Sequence, residues 1–317
     1  MRPVSLVPFV VLAGAALAAC ASSKTDDNPT TTTTHTTTST TTSGSGGTGG
    51  SGATGGSGGD SGNGICDLIG SDHLLVSEVG SQPDEAEFIE IWNPGSTTVD
   101  LGKYYLSDNA AYHGIAAGTA WNPQVNQPGS DFLAAFPPGT TLGPNEVLTI
   151  QAGTDFFGTF GVCPDFVLAP ASAADTTCNG SVVPKLVEPA NGGIGNSVGS
   201  KLSNAREMLM LFCWDAGPRV TDVDYVTWGP DDPTEPTRVD KTSVAGYLPD
   251  TARAQQSGAP APALNEAIGR CTSVETGETT TGGNGAAGHD ETSESMATTF
   301  ALFAAGSLTP GTVNPCN

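Results

Sequence analysis

Short apolar segments, each bounded by Gly, Pro, Asn or Asp, recur along the chain from residue 74 onward. Six of them read as strands: Leu74–Val79, Glu87–Asn93, Val99–Ser107, Val147–Ala152, Glu207–Trp214 and Val220–Trp228. In the second, alternation puts Ile89 and Ile91 on one face and Phe88, Glu90 and Trp92 on the other. The run Met208-Leu209-Met210-Leu211-Phe212 is apolar on both faces, which predicts a central strand covered on both sides. Asn93-Pro94-Gly95 marks a turn, and Ala297–Ala305 predicts a last strand. Short strands with frequent turns predict an all-β sandwich.

The first 64 residues have a different texture. Arg2 precedes a short apolar run, Val4 to Leu17, interrupted by Pro8. The run is too short to span a bilayer comfortably and fits a signal-peptide core. It ends in Leu17-Ala18-Ala19-Cys20, which resembles the bacterial lipobox. Residues 1–19 therefore read as a lipoprotein signal peptide, and Cys20 as the residue that takes acyl chains such as palmitate. Residues 20–64 then read as a tether: Thr runs, then Gly/Ser repeats, with almost nothing apolar to offset the entropy of ordering. As a flexible coil it would span roughly 35–40 Å. That leaves residues 65–317 for the folded domain.

Composition narrows the function classes. The net charge is −22 with only 11 Lys and Arg, which argues against nucleic acid and anionic membrane surfaces as partners. The acidity reads first as solubility and self-repulsion, with calcium as the sharper alternative. Of seven cysteines, lipidation of Cys20 leaves Cys66, Cys163, Cys178, Cys213, Cys271 and Cys316. An even set in an exported protein predicts three disulfides. The expected pairing is Cys163–Cys178 locally and Cys66–Cys316 across the domain ends, leaving Cys213–Cys271. No C-x-x-C occurs, so neither a redox motif nor a zinc knuckle is offered.

The strand segments carry a resemblance. Val76-Ser77-Glu78-Val79, Glu87-Phe88-Ile89-Glu90-Ile91-Trp92-Asn93 and Val99 through Asp108 are similar to the lamin-tail domain family. So, in order, are Leu142-Gly143-Pro144-Asn145-Glu146-Val147-Leu148-Thr149-Ile150, Leu202 through Leu211, Asp222 through Val226, Trp228-Gly229 and the tail Thr309 to Asn314. The resemblance implies an immunoglobulin-like β-sandwich that serves as an interaction module without shared catalytic residues. The folded region is about twice the family's length, and the excess falls in Asn109–Thr141, Gly153–Lys201 and Pro230–Asp290, read as long loop insertions.

Motifs for chemistry are weak. Gly195-Asn196-Ser197-Val198-Gly199 fits G-x-S-x-G, but Gly-rich loop precedes Ser197 where a nucleophile elbow needs a strand, and the tether's Gly55 to Gly59 fits the same pattern. Gly283 to Gly288 fits G-x-G-x-x-G with no strand before it, and reads as a flexible loop. His73, His113 and His289 lack metal-ligand spacing, so a transition-metal site would have to be assembled across distant loops; His113 reads as packing beside Tyr112. Asp231, Asp232 and Glu235 form one acidic loop and Asp290, Glu291 and Glu294 another, the candidates for calcium. Asp222 and Asp224 read as structural, and so does Glu90 despite its aromatic neighbours.

The sequence therefore predicts a lipid-anchored cell-envelope protein, attached to the membrane through Cys20, that displays a non-catalytic binding or adhesion module for a protein or glycan. Ala21 after the lipidated cysteine resembles the enterobacterial signal for outer-membrane delivery. An exported hydrolase built from the insertions and a calcium-stabilised surface module are the alternatives.

Overall fold

The computed structural model describes residues 66, 69–70, 73–119, 130–197, 201–232, 234, 236–275, 277–304, 306–313 and 316. The signal segment, Cys20, the tether and Glu235 lie outside them. In chain order the strands are β1 Leu75–Gly80, β2 Phe88–Trp92, β3 Val99–Asp100, β4 Tyr104–Ser107, β5 Phe132–Ala135, β6 Thr141–Leu142, β7 Val147–Gln151 and β8 Phe166–Val167. They continue with β9 Thr177–Cys178, β10 Ser181–Val182, β11 Gly193–Ile194, β12 Glu207–Cys213, β13 Thr221–Trp228, β14 Ala267–Arg270 and β15 Phe300–Phe303. Two short helices, α1 Phe156–Phe160 and α2 Met296–Thr299, accompany them.

Two sheets form the sandwich. One runs β15-β14-β1-β2-β7-β8 and the other β11-β5-β4-β12-β13, antiparallel throughout except for β7 with β8. Ile89 and Ile91 face the main core, as their alternation predicts, together with Leu148 and Ile150 from β7. Every residue from Met208 to Cys213 is fully buried, so β12 is the central strand its apolar run predicts, flanked by β4 and β13. Burying one such Leu or Met side chain contributes about 1.5–3 kcal/mol. The opposite face of β2 is covered separately: Phe88 meets Phe156 and Phe160 of α1 edge-on, at 5.8 and 5.3 Å.

Local chemistry explains several turns. Asn93 donates through Nδ2 to the carbonyls of Thr97, Leu142 and Gly143, and its Oδ1 accepts from Gly95 N, so one side chain fastens the Asn93-Pro94-Gly95 turn to the β6 end. The expected strand Val99–Ser107 breaks in two because Asp100 Oδ1 accepts from Gly102 N and closes a turn. Ala297–Ala305 begins as one helical turn before it extends into β15.

The insertions supply structure as well as loops. Asn109–Thr141 provides β5, a full member of the second sheet, and Gly153–Lys201 provides α1 and β8 to β11. The disulfide pairing corrects expectation in two of three bridges. Cys163–Cys178 closes locally, but Cys66 joins Cys213 and Cys271 joins Cys316. The domain ends are not bridged to each other: the end of β12 comes to Cys66, with Cα atoms 5.5 Å apart, while the C-terminal tail returns to the end of β14.

A buried imidazole–carboxylate cluster and a polar cleft

Where β13 of one sheet crosses β1 of the other, a charged pair completes the backbone. Val76 N donates to Asp224 Oδ2 at 2.5 Å, Arg270 Nε donates to Val76 O at 3.0 Å, and Arg270 Nη2 binds Asp224 Oδ1 at 2.5 Å. Asp224 also accepts from Tyr225 N, so both of its oxygens have donors. The structural reading of Asp224 holds.

Beside this pair the segment from β14 to β15 folds back as an irregular hairpin, bridged at Glu278 with Glu294 and at Thr281 with His289. It brings Glu275, Glu278, His289, Glu291 and Glu294 against His73, which precedes β1. Ligand atoms of His73, Glu275 and Glu291 lie within 4.8 Å of one another, and so do those of Glu275, Glu278 and His289. His73 Nδ1 donates to Gly70 O at 2.9 Å, which fixes the proton there and turns Nε2 toward Glu275 Oε2. His289 Nδ1 approaches Glu278 Oε2 at 2.5 Å.

The carboxylates are poorly satisfied. Apart from His73 Nε2 beside Glu275 Oε2, no donor among the described residues reaches Glu275 or Glu291, nor Glu278 Oε1 or Glu294 Oε2. Glu291 is 1% exposed. Burial, then the charges of Glu275 and Glu278, pushes its carboxyl well above the usual range. Glu294 is pushed up to about 8 by burial, although Arg270 Nη1 reaches its Oε1 at 3.4 Å and opposes the shift. The glycine motif Gly283–Gly288, expected as a flexible loop, is pinned: Asn284 bonds Leu248 O and Asp250 Oδ1, and a Cβ on Gly285 would lie 2.3 Å from Glu291 Oε1.

A second feature lies at the ends of β4 and β12. A cleft of about 700 Å³ is lined by Asp108, Asp131, Arg206, Glu207, Arg238 and Arg253, among others. Asp108 Oδ1 accepts from Phe132 N, but its Oδ2 has no donor among the described residues, and burial with Glu207 and Asp131 nearby pushes its carboxyl up. Glu207 is pushed up to about 8, mainly by burial.

The sequence-derived candidates divide between these places. Asp231 binds Arg253 at 2.7 Å and Asp232 binds Arg206 at 2.6 Å, so this loop is neutralised by guanidinium groups. Asp290 is separated from its neighbours in sequence: it caps the turn at Thr292 and accepts from Thr251 N and Oγ1. Only Glu291 and Glu294 join a cluster, and its other members were invisible to local spacing because His73 and Glu275 are two hundred residues apart. His113 packs between Tyr112 and Tyr247, its pKa lowered to about 4 first by burial and then by Lys241. Glu90 is structural: Ser77 Oγ donates to one oxygen at 2.7 Å and Gly311 N to the other at 2.6 Å. Ser197 follows the two-residue β11 and is succeeded by no helix among the described residues up to Arg206.

The comparisons bear on the fold. No curated protein matches the chain. A crystal structure of a DUF4876 family protein from Bacteroides thetaiotaomicron VPI-5482 aligns with 13% identity and a TM-score of 0.36, covering 78% of this chain and 72% of that one. The family model for the lamin tail domain matches residues 70–229, from just before β1 to the end of β13. The segment from Pro230, read above as an insertion, and the tail from Thr309 lie beyond that match. With half its length matched and the two-sheet sandwich present, the chain belongs to the lamin tail domain family.

Proposed function

We propose that the protein is a lipid-anchored component of the bacterial cell envelope, attached through Cys20, whose lamin tail sandwich is a non-catalytic binding module. The observation that carries this reading is a family sandwich held by three disulfides, which persist in oxidising compartments outside the cytoplasm. The Leu17-Ala18-Ala19-Cys20 motif and the Thr/Gly tether supply the means of attachment. Among the described residues no helix is long and apolar enough to cross a membrane. The polar cleft at Asp108, Glu207 and Arg206 is its ligand face: carboxyl and guanidinium groups stand side by side, a mixture suited to glycan hydroxyls or polar protein surface.

Intact mass of the mature chain from its native membranes, beside a Cys20→Ala variant, tests the anchor. A diacyl or triacyl adduct that the variant lacks is expected; an unmodified mature chain overturns it. Hydrolysis of p-nitrophenyl esters or glycosides that is lost in Ser197→Ala or Glu207→Gln would overturn the non-catalytic role in favour of an exported hydrolase.

A further inference from the structure

We propose that the cluster around Glu275 is a divalent transition-metal centre, with two ions sharing that carboxylate. One ion is held by His73, Glu275 and Glu291, the other by Glu275, Glu278 and His289. The proposal goes beyond the binding role above and stands whether or not Cys20 is lipidated.

Charge is the first argument. Asp224 and Arg270 neutralise each other, and four carboxylates remain: Glu275, Glu278, Glu291 and Glu294. Their side chains are at most 6% exposed where they meet the histidines, and Glu291 is 1% exposed with both oxygens lacking a donor. Unpaired buried carboxylates are strongly unfavourable. A divalent ion would give the buried oxygens of Glu291, which have no donor among the described residues, a partner.

Orientation is the second argument. Gly70 O can only accept, so His73 Nδ1 carries a proton and directs Nε2 towards Glu275. Imidazole ligands characteristically donate their other N–H to a backbone carbonyl in this way. The two rings fall in different triads around the shared Glu275, which is why two ions fit better than one.

Ligand type sets the class. Nitrogen with carboxylate oxygen suits zinc, manganese(II) or iron(II), whereas calcium prefers an all-oxygen shell. Enclosure sets the role. His73 has no exposed side-chain surface and Glu275 only 3%, the closed form of a structural site. The ions would pin the β14–β15 segment to the chain entering β1.

The test strips the full-length mature chain with a chelator, reloads it with zinc(II), manganese(II) or calcium separately, removes excess and counts bound metal by mass spectrometry. Two zinc or manganese ions per chain are expected, with calcium not retained. Glu275→Gln should retain none. His289 is the more exposed ring, at 28%, and His289→Ala should keep one ion and an unchanged circular dichroism spectrum. Retention of no metal, of one ion, or of calcium in preference overturns the proposal, as does a His289→Ala chain that still holds two.

Discussion

The three disulfides close rings of very different size, which makes their contributions separable. Cys66–Cys213 spans 147 positions, Cys271–Cys316 spans 45 and Cys163–Cys178 spans 15. In the chain-entropy description, cross-linking removes conformational freedom from the unfolded chain roughly as the logarithm of ring size. The three bridges then contribute about 5, about 4 and about 3 kcal/mol respectively. The smaller ring of Cys163–Cys178 lies inside the larger one and shortens it only slightly, so the order survives. Cys213 is fully buried on the central strand, which adds a small packing loss to the first bridge and none that would reverse the ranking. Paired Cys→Ala variants unfolded in urea under oxidising conditions would report the midpoints and slopes. The expected order of destabilisation is Cys66/Cys213, then Cys271/Cys316, then Cys163/Cys178. If removing the local bridge costs as much as removing the long one, ring closure is not the dominant effect and native-state packing around the sulfurs must be.

Two further outcomes follow from the buried charges. Lys241 has no exposed side-chain surface; its Nζ binds Asp222 Oδ2 at 2.8 Å and Asp250 Oδ1 at 3.1 Å. Burial alone would lower its pKa, but the two carboxylates outweigh it and hold the ammonium charged. Lys241→Met leaves both acids unpaired and should cost about 3–5 kcal/mol in urea unfolding, and a loss under 1 kcal/mol would refute the pairing argument. Glu78 is pushed up to about 8 by burial and then by Glu90 across the β1–β2 pair, and Glu90 to about 7 by burial. Acids raised on folding bind protons more tightly in the native state, so their contribution is full below the unfolded value near 4.5 and falls as pH rises towards 8. The chelated protein should therefore show a higher urea midpoint at pH 5.5 than at 8.5, with a smaller fall in Glu78→Gln; equal falls in both proteins would exclude Glu78 as a cause.

What the sequence made legible was what one strand or one turn decides by itself. Ile89 and Ile91 alternate because β2 has one face on the core, and Met208 to Phe212 are continuous because β12 is covered on both. Asn93 announces its turn because its partners Thr97 and Gly95 are close in sequence. β14 escaped because Ala-Ile-Gly-Arg lacks any alternation: its Arg270 is an interior residue whose partner, Asp224, comes from the other sheet. β5 escaped for a related reason, since Phe-Leu-Ala-Ala has no β-branched residue to mark it. The metal-type cluster depends on the same long-range assembly, and no local spacing encodes it.

Acidity was the property most misplaced by reading composition as surface. Among the described residues eleven Asp and Glu side chains are buried against four Lys and Arg, a proportion close to that of the whole chain, which has 33 and 11. The interior, where solvent screening does not reach, is thus as acid-rich as the exterior. Each excess acid needs its own remedy, and the fold uses several. Asp224 and Asp222 take guanidinium and ammonium partners, and Asp290 takes backbone and hydroxyl donors. Glu78 and Glu90 shift towards the neutral acid. Around Glu275 the shift of Glu291 and Glu294 towards the neutral acid and the one guanidinium of Arg270 still leave carboxylate oxygens without a donor. A cation is the one remedy that adds charge without adding a residue, and a chain so poor in Lys and Arg has the most reason to use it.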